Sequence, residues 1–154
     1  MDIKKYYKKD YEEKITDNFK VKEFACKGND SDFLLIDIDV VKTLQSCVRN
    51  KYGIPIIILS GFRTQAYNQS CGGAPKSKHL EGGAIDFTFA NQKIFIDKHK
   101  EIIKTLIDAG IKGIGLYIKD RKPPYIHIDN REQKCYWINE NGQNYYIDSF
   151  LFWW

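Results

Sequence analysis

The chain of 154 residues has only four prolines, three histidines, and no apolar run approaching the ~18 residues needed to span a bilayer. The lack of such a run argues against membrane insertion. Little proline and 43% hydrophobic residues suit one compact domain with an ordinary core, and two domains would be cramped. Charge of one sign is also lacking: 24 Lys+Arg stand against 20 Asp+Glu, and the two signs alternate, as in Lys8, Lys9, Asp10, Glu12, Glu13 and Lys14. No basic stripe marks nucleic acid as a partner, and a net charge of +4 supports only a weak pull toward polyanions. Paired cysteines are missing too. Cys26, Cys47, Cys71 and Cys135 form no CxxC and have no histidine within a few positions, which argues against a thiolate zinc site. Residues Met1 to Lys22 are charged throughout and lack the apolar stretch of a signal peptide. The chain therefore reads as a protein made in the cytoplasm, a monomer with reduced and mostly buried thiols.

What is present reads as an α+β domain, a small and mainly antiparallel sheet with two packed helices. Residues 1–17 form a polar N-terminal arm, a frayed helix or a loosely packed segment, and residues 18–154 form the single domain. From Asp37 the apolar positions Val40, Val41, Leu44, Cys47 and Val48 recur at helical spacing, with Gly53 as a stop. The run from Ile54 to Leu59 reads as a strand buried on both faces. A glycine-rich loop follows (Ala66 to Glu81), then a strand from Gly83 to Phe89. A second helix spans Gln92 to Ala109, with Ile94, Ile102, Ile103, Leu106 and Ile107 as its apolar face. Four short strands complete the chain, and Asn141-Gly142 marks a hairpin between the last two.

Two of the three histidines stand near carboxylates. His79 leaves the glycine-rich loop, and a turn at Gly82-Gly83 would fold it back toward Asp86 in the next strand. His127 and Asp129 share a strand face, because side chains alternate along a strand. Two imidazoles and one carboxylate suit four-coordinate zinc with an open position, which points to catalysis rather than structure. The same residues also read as unrelated histidines, each bonded locally. Arg63, just after the apolar strand, either binds a substrate carboxylate or oxyanion or pairs with Asp86 to hold its loop. Ser60 has no glycine elbow or matched base and is a poor nucleophile. Tyr145, Tyr146, Phe150, Phe152, Trp153 and Trp154 either close a small core or stack on sugar rings.

The blocks Ser60-Gly-Phe-Arg63, Ser77-Lys-His79 through Gly82-Gly83-Ala-Ile-Asp86, and Tyr125-Ile-His127-Ile-Asp129-Asn-Arg131 resemble the zinc D-Ala-D-Ala carboxypeptidase and endolysin family, peptidase family M15. The closest likeness is to its small branch in phage and prophage cell-wall hydrolases. Supporting stretches run from Phe19 to Trp137. The resemblance implies a hedgehog/DD-peptidase-like fold, a Zn2+ ion held by His79, Asp86 and His127, and Arg63 at the active site with Ser77 and Tyr117 as substrate-binding residues. One element departs: where many relatives carry a glutamate three residues before the last histidine, this chain has Pro124. Asp129 then stands as the catalytic carboxylate or as a group orienting a ligand imidazole, Glu81 is the next candidate base, and Asp120 and Arg121 lie in a loop that could close over substrate.

The implied activity is a zinc-dependent peptidoglycan peptidase, a D,D-carboxypeptidase or an endopeptidase, whose partner is the stem peptide. It would act at the cell wall after release by phage or prophage lysis. The alternative is a non-catalytic zinc-containing module of the same fold that binds cell wall or protein, including a phage structural component.

Overall fold

A computed structural model describes residues 1–120 and 122–150, apart from the side chains of residues 122 and 123. Arg121, Phe152, Trp153 and Trp154 lie outside the described residues. The N-terminal stretch is neither a frayed helix nor loose. It forms β1 (Ile3–Tyr7), paired antiparallel along its length with β2 (Phe33–Asp37). Only Tyr6 of β1 is even half-buried, so backbone hydrogen bonds rather than apolar burial hold this strand, a hold that hydropathy does not reveal.

The buried Asp37 carboxylate joins three parts of the chain. It accepts from the backbone N–H groups of Asp2 and Asp39 at 3.3 and 3.0 Å and from Asn130 Nδ2 at 2.7 Å. It thereby caps α1 (Ile38–Leu44), which continues as a wider π turn over Gln45–Asn50. The buried residues Val40, Val41, Leu44 and Val48 follow the expected face. After α2 (Gln65–Ser70), the longest helix is α3 (Gln92–Asp108). It buries Phe95, Ile102, Ile103 and Leu106, while Ile94 and Ile107 are half-buried at the flanks of the stripe.

Six strands form the main sheet: β3 (Ile56–Ser60), β4 (Ala84–Phe89), β5 (Gly113–Lys119), β6 (Lys122–Asp129), β7 (Cys135–Glu140) and β8 (Gln143–Ile147). Their order is β3-β4-β6-β5-β7-β8, antiparallel except for the parallel pair β5 and β7. The sheet has two unlike faces. Ile85, Ile128, Ile114 and Tyr136 stand opposite one another across four strands, as do Phe87, Ile126, Leu116 and Ile138. These two rows join the buried residues of α1 and α3 in one core. The other face is polar.

The strand β3 is not buried on both faces as its composition suggests. It is an edge strand, and Ile57 and Leu59 are exposed because the helices cover only the core side. A register shift between Ile58 and Ser60 marks a bulge that turns Ser60 onto the polar face, opposite Asp86. The thiols also depart from expectation. All four are free, but Cys26, Cys47 and Cys135 are only half-buried and Cys71, just past the end of α2, is exposed.

The described aromatic residues near the C-terminus divide between burial and exposure. Phe150 is buried against Tyr136, with ring centroids 5.6 Å apart, whereas Tyr145 and Tyr146 are exposed on β8. Phe150→Ala should therefore lower unfolding free energy by about 3 kcal/mol in urea denaturation. A loss below about 1 kcal/mol would show that this ring is not core.

Candidate metal centre

The loop after β3 and the single helical turn Lys78–Glu81 are laced together by hydrogen bonds. The backbone N–H of Arg63 donates to the His79 carbonyl at 3.0 Å, and His79 Nδ1 lies 2.6 Å from the Gly61 carbonyl oxygen. A carbonyl only accepts, so Nδ1 carries the proton and Nε2 is the atom left to bind elsewhere. Ser77 caps this turn by accepting from the His79 backbone N–H. Gly82 takes a left-handed conformation and sends the chain into β4.

Strand register then brings the remaining groups to one place. Asp86 faces Ser60 on one side and His127 on the other. Both imidazoles approach the same carboxylate oxygen: His127 Nδ1 lies 2.7 Å and His79 Nε2 3.3 Å from Asp86 Oδ1. Arg63 Nη2 donates to the other oxygen, Oδ2, at 2.6 Å, and Arg63 Nε donates to Ser60 Oγ at 2.8 Å. His79, Asp86 and His127 are all buried, and one donor atom from each lies within 4.8 Å of the others. Two imidazole nitrogens and a carboxylate oxygen so close together could hold a metal ion.

A family model described as Peptidase M15 matches residues 17–129, which include this group. The chain belongs to the peptidase M15 family. No curated protein matches the chain.

In this M15 chain the group's electrostatics favour positive charge. Burial pushes the Asp86 carboxyl up, but His79 and His127 outweigh burial and hold it well below the usual carboxylate range. Burial pushes His127 down, and its hydrogen bonds to Asp129 and Asp86 overcome that and lift it to about 9. The same two carboxylates that favour a proton on His127 would favour a cation between the ligands.

Asp129 stands on the far side of the imidazole from Asp86, with Oδ2 3.0 Å from His127 Nε2. Arg131 grips both its oxygens: Nε donates to Oδ1 at 2.8 Å and Nη2 to Oδ2 at 2.5 Å. Burial raises the Asp129 carboxyl, and the bonds from His127 and Arg131 bring it well below its ordinary range. The Arg131 guanidinium in turn lies 5.0 Å over the Trp137 ring, whose centroid is 5.2 Å from that of His127. Two glycines of β5 make room for this stack. A Cβ at Gly113 would fall on the Asp129 carboxylate, and one at Gly115 would fall on the Trp137 indole.

The group sits in an open cleft of about 550 Å3. Arg63, Ser77 and Tyr117, expected at a substrate site, line it with the three candidate ligands and Asp129. Among the described lining residues the only carboxylates are Asp86 and Asp129. Glu81 is exposed and paired with Lys78 at 2.8 Å, and Asp120 is exposed on the turn after β5, outside this lining. Sequence reasoning gave no role to Arg131, Trp137, Gly113 or Gly115. The alternation Gly113-Ile-Gly115 was the available signal, since two vacant positions on one strand face leave room for large groups on neighbouring strands.

Two outcomes follow for this centre. A cation must compete with the proton on His127, so divalent-metal affinity should rise about tenfold per pH unit and level off above pH ~9. Arg131→Gln, which breaks the fork onto Asp129, should weaken metal binding by about 10-fold or more. Competition with a chromophoric chelator reads both, and an unchanged affinity in the variant would separate Arg131 from the centre.

Proposed function

We propose that this M15 peptidase is a zinc-dependent hydrolase of peptidoglycan stem peptides, with His79, Asp86 and His127 as the zinc ligands. The observation that carries this reading is the convergence of those three buried donors on one point at the floor of the cleft. The donor set suits zinc, with two imidazoles, one carboxylate and the fixed His79 tautomer. A bound zinc supplies Lewis acidity, which activates water and polarises a peptide carbonyl.

The chain's own residues would then divide the remaining work. Arg63 holds Asp86 through Nη2 and Ser60 through Nε, which leaves Nη1 for a substrate carboxylate or a developing oxyanion. Asp129 acts through His127, fixing the ring from its Nε2 side, with Arg131 fixing Asp129. Ser77 keeps the His79 turn in shape while bordering the cleft. Tyr117 accepts a hydrogen bond from Trp137 Nε1 at 3.2 Å, so its own proton is free to donate to a substrate oxygen.

A specific observation favours a second reading, a zinc-containing module that binds wall peptide without cleaving it. Pro124 occupies the position of the family's glutamate, and both cleft carboxylates among the described residues are already engaged. Incubation with defined muropeptides, followed by mass spectrometry, separates the two. The hydrolase should contain one zinc per chain and release a defined fragment. Chelation should abolish activity, zinc should restore it, and His127→Ala should lose both metal and activity. Full activity without metal would sink both zinc readings, and stoichiometric zinc with peptide binding but no product would select the module.

A further inference from the structure

The cleft extends well past the metal group, along the polar face of the sheet. One register row runs Ser60, Asp86, His127, Gly115, Trp137, Tyr146 across all six strands. The neighbouring row places Tyr125, Tyr117, Asn139 and Asn144 side by side on β6, β5, β7 and β8. The half of the face on β5 to β8 therefore presents aromatic rings and amides, and its residues line the same cleft as the candidate ligands.

This platform is held rigidly. Tyr117 and Tyr125 stack at 4.5 Å with ring planes 8° apart, and Trp137 bonds the Tyr117 hydroxyl. Asn139 Nδ2 donates to Asn144 Oδ1 at 2.6 Å, and Asn139 Oδ1 accepts from the Gly142 N–H at 3.1 Å. Tyr146 is 71% exposed and offers a free ring face beside the exposed Asn144.

Charge is arranged unevenly around the cleft. Lys76, Lys78 and Arg131 line both the cleft and an adjoining basin that adds Lys134 and one acid, Glu132, on the side of the row through Asp129 and Cys135. The aromatic half carries one lysine, Lys119, and no acid among its described lining residues. An anionic peptide is matched to the first side. The second suits a neutral ligand with flat apolar faces, hydroxyls and amide-like groups.

We infer that Tyr117, Tyr125, Trp137, Asn139, Asn144 and Tyr146 form a subsite for a neutral N-acetylated sugar ring carried by the peptide substrate. The inference rests on the peptidoglycan reading above and adds the part of the substrate that reading leaves out. Tyr146 supplies an open face for the ring, the Tyr117 hydroxyl a donor, and the Asn144 amide a partner for the acetamido group.

The test compares cleavage by the zinc-loaded full chain of a stem pentapeptide and the same peptide carrying an N-acetylglucosaminyl-N-acetylmuramoyl disaccharide. The free disaccharide is titrated separately while the Trp137 indole N–H is followed by NMR. The sugar-bearing peptide should show a kcat/KM about tenfold or more above the bare peptide, mainly through a lower KM. In Tyr146→Ala and Asn144→Ala, both exposed positions, that ratio should fall below about threefold. Equal kcat/KM for the two peptides in the unaltered chain, or an undiminished ratio in the variants, overturns the sugar subsite and leaves the peptidase reading intact. Should neither peptide be cleaved, the peptidase reading fails and the titration decides the subsite. A saturable shift of the indole N–H, lost in Tyr146→Ala, supports it, and no shift overturns it.

Discussion

A single buried carboxylate organises this molecule's polar face. Asp86 would be costly to bury alone, because an ionised group taken out of water needs partners that restore its lost hydration. It has them on every side: His79 and His127 at one oxygen and Arg63 at the other. Each partner comes from a different part of the chain, so forming the centre requires the post-β3 loop, the 78–81 turn, β4 and β6 to be in place together. The centre is thus a product of the finished fold and also one of its constraints. Taking away Asp86 would leave a half-buried arginine and two buried imidazoles without their shared counter-charge.

Arg131 and Asp129 repeat the same logic one layer out. Asp129 is as buried as Asp86, and Arg131 neutralises it by a two-point grip while lying on Trp137. The whole stack of Arg131, Asp129, His127 and Trp137 needs space above β5, and that strand supplies it by carrying no side chain at residues 113 and 115. Size on one strand and its lack on the next are therefore a single feature. His127, bonded at both nitrogens, is already held in one orientation, as a preorganised metal ligand would need to be.

The sequence revealed what is periodic or chemically paired. The faces of α1 and α3, the Asn141-Gly142 hairpin, and the approach of His79 to Asp86 all rest on short-range patterns, and each is present in the structure. What depends on pairing between distant strands was harder to read. The two exposed isoleucine-and-leucine positions of β3 look buried until the strand is known to be an edge, and β1 looks like an arm until β2 is known to bind it. The fork of Arg131 onto Asp129 is only two residues long in sequence, yet its purpose depends on Trp137 arriving from β7. The choice between core and ligand for the aromatic cluster was undecidable from composition, because Phe150 and Tyr146 face opposite environments only after β8 joins the sheet.

The parallel insertion of β7 beside β5 is the step that gives the cleft its second half. Were β7 absent, the polar face would end on β5 at Gly115 and Tyr117, one strand beyond His127. With β7 and β8 added, Trp137 and Tyr146 extend the His127 row, and Asn139 and Asn144 extend the Tyr117 row. The family match ends at Asp129, so the three candidate ligands lie within it and these four residues lie beyond it. The cleft residues of β7 and β8 therefore stand apart in the chain from the carboxylate and imidazoles on β4 and β6, and the Trp137 ring beside His127 is one contact that joins the two halves. A change at Trp137 would be felt on both sides, because its ring lies beside His127 and Arg131 and its indole N–H bonds the Tyr117 hydroxyl.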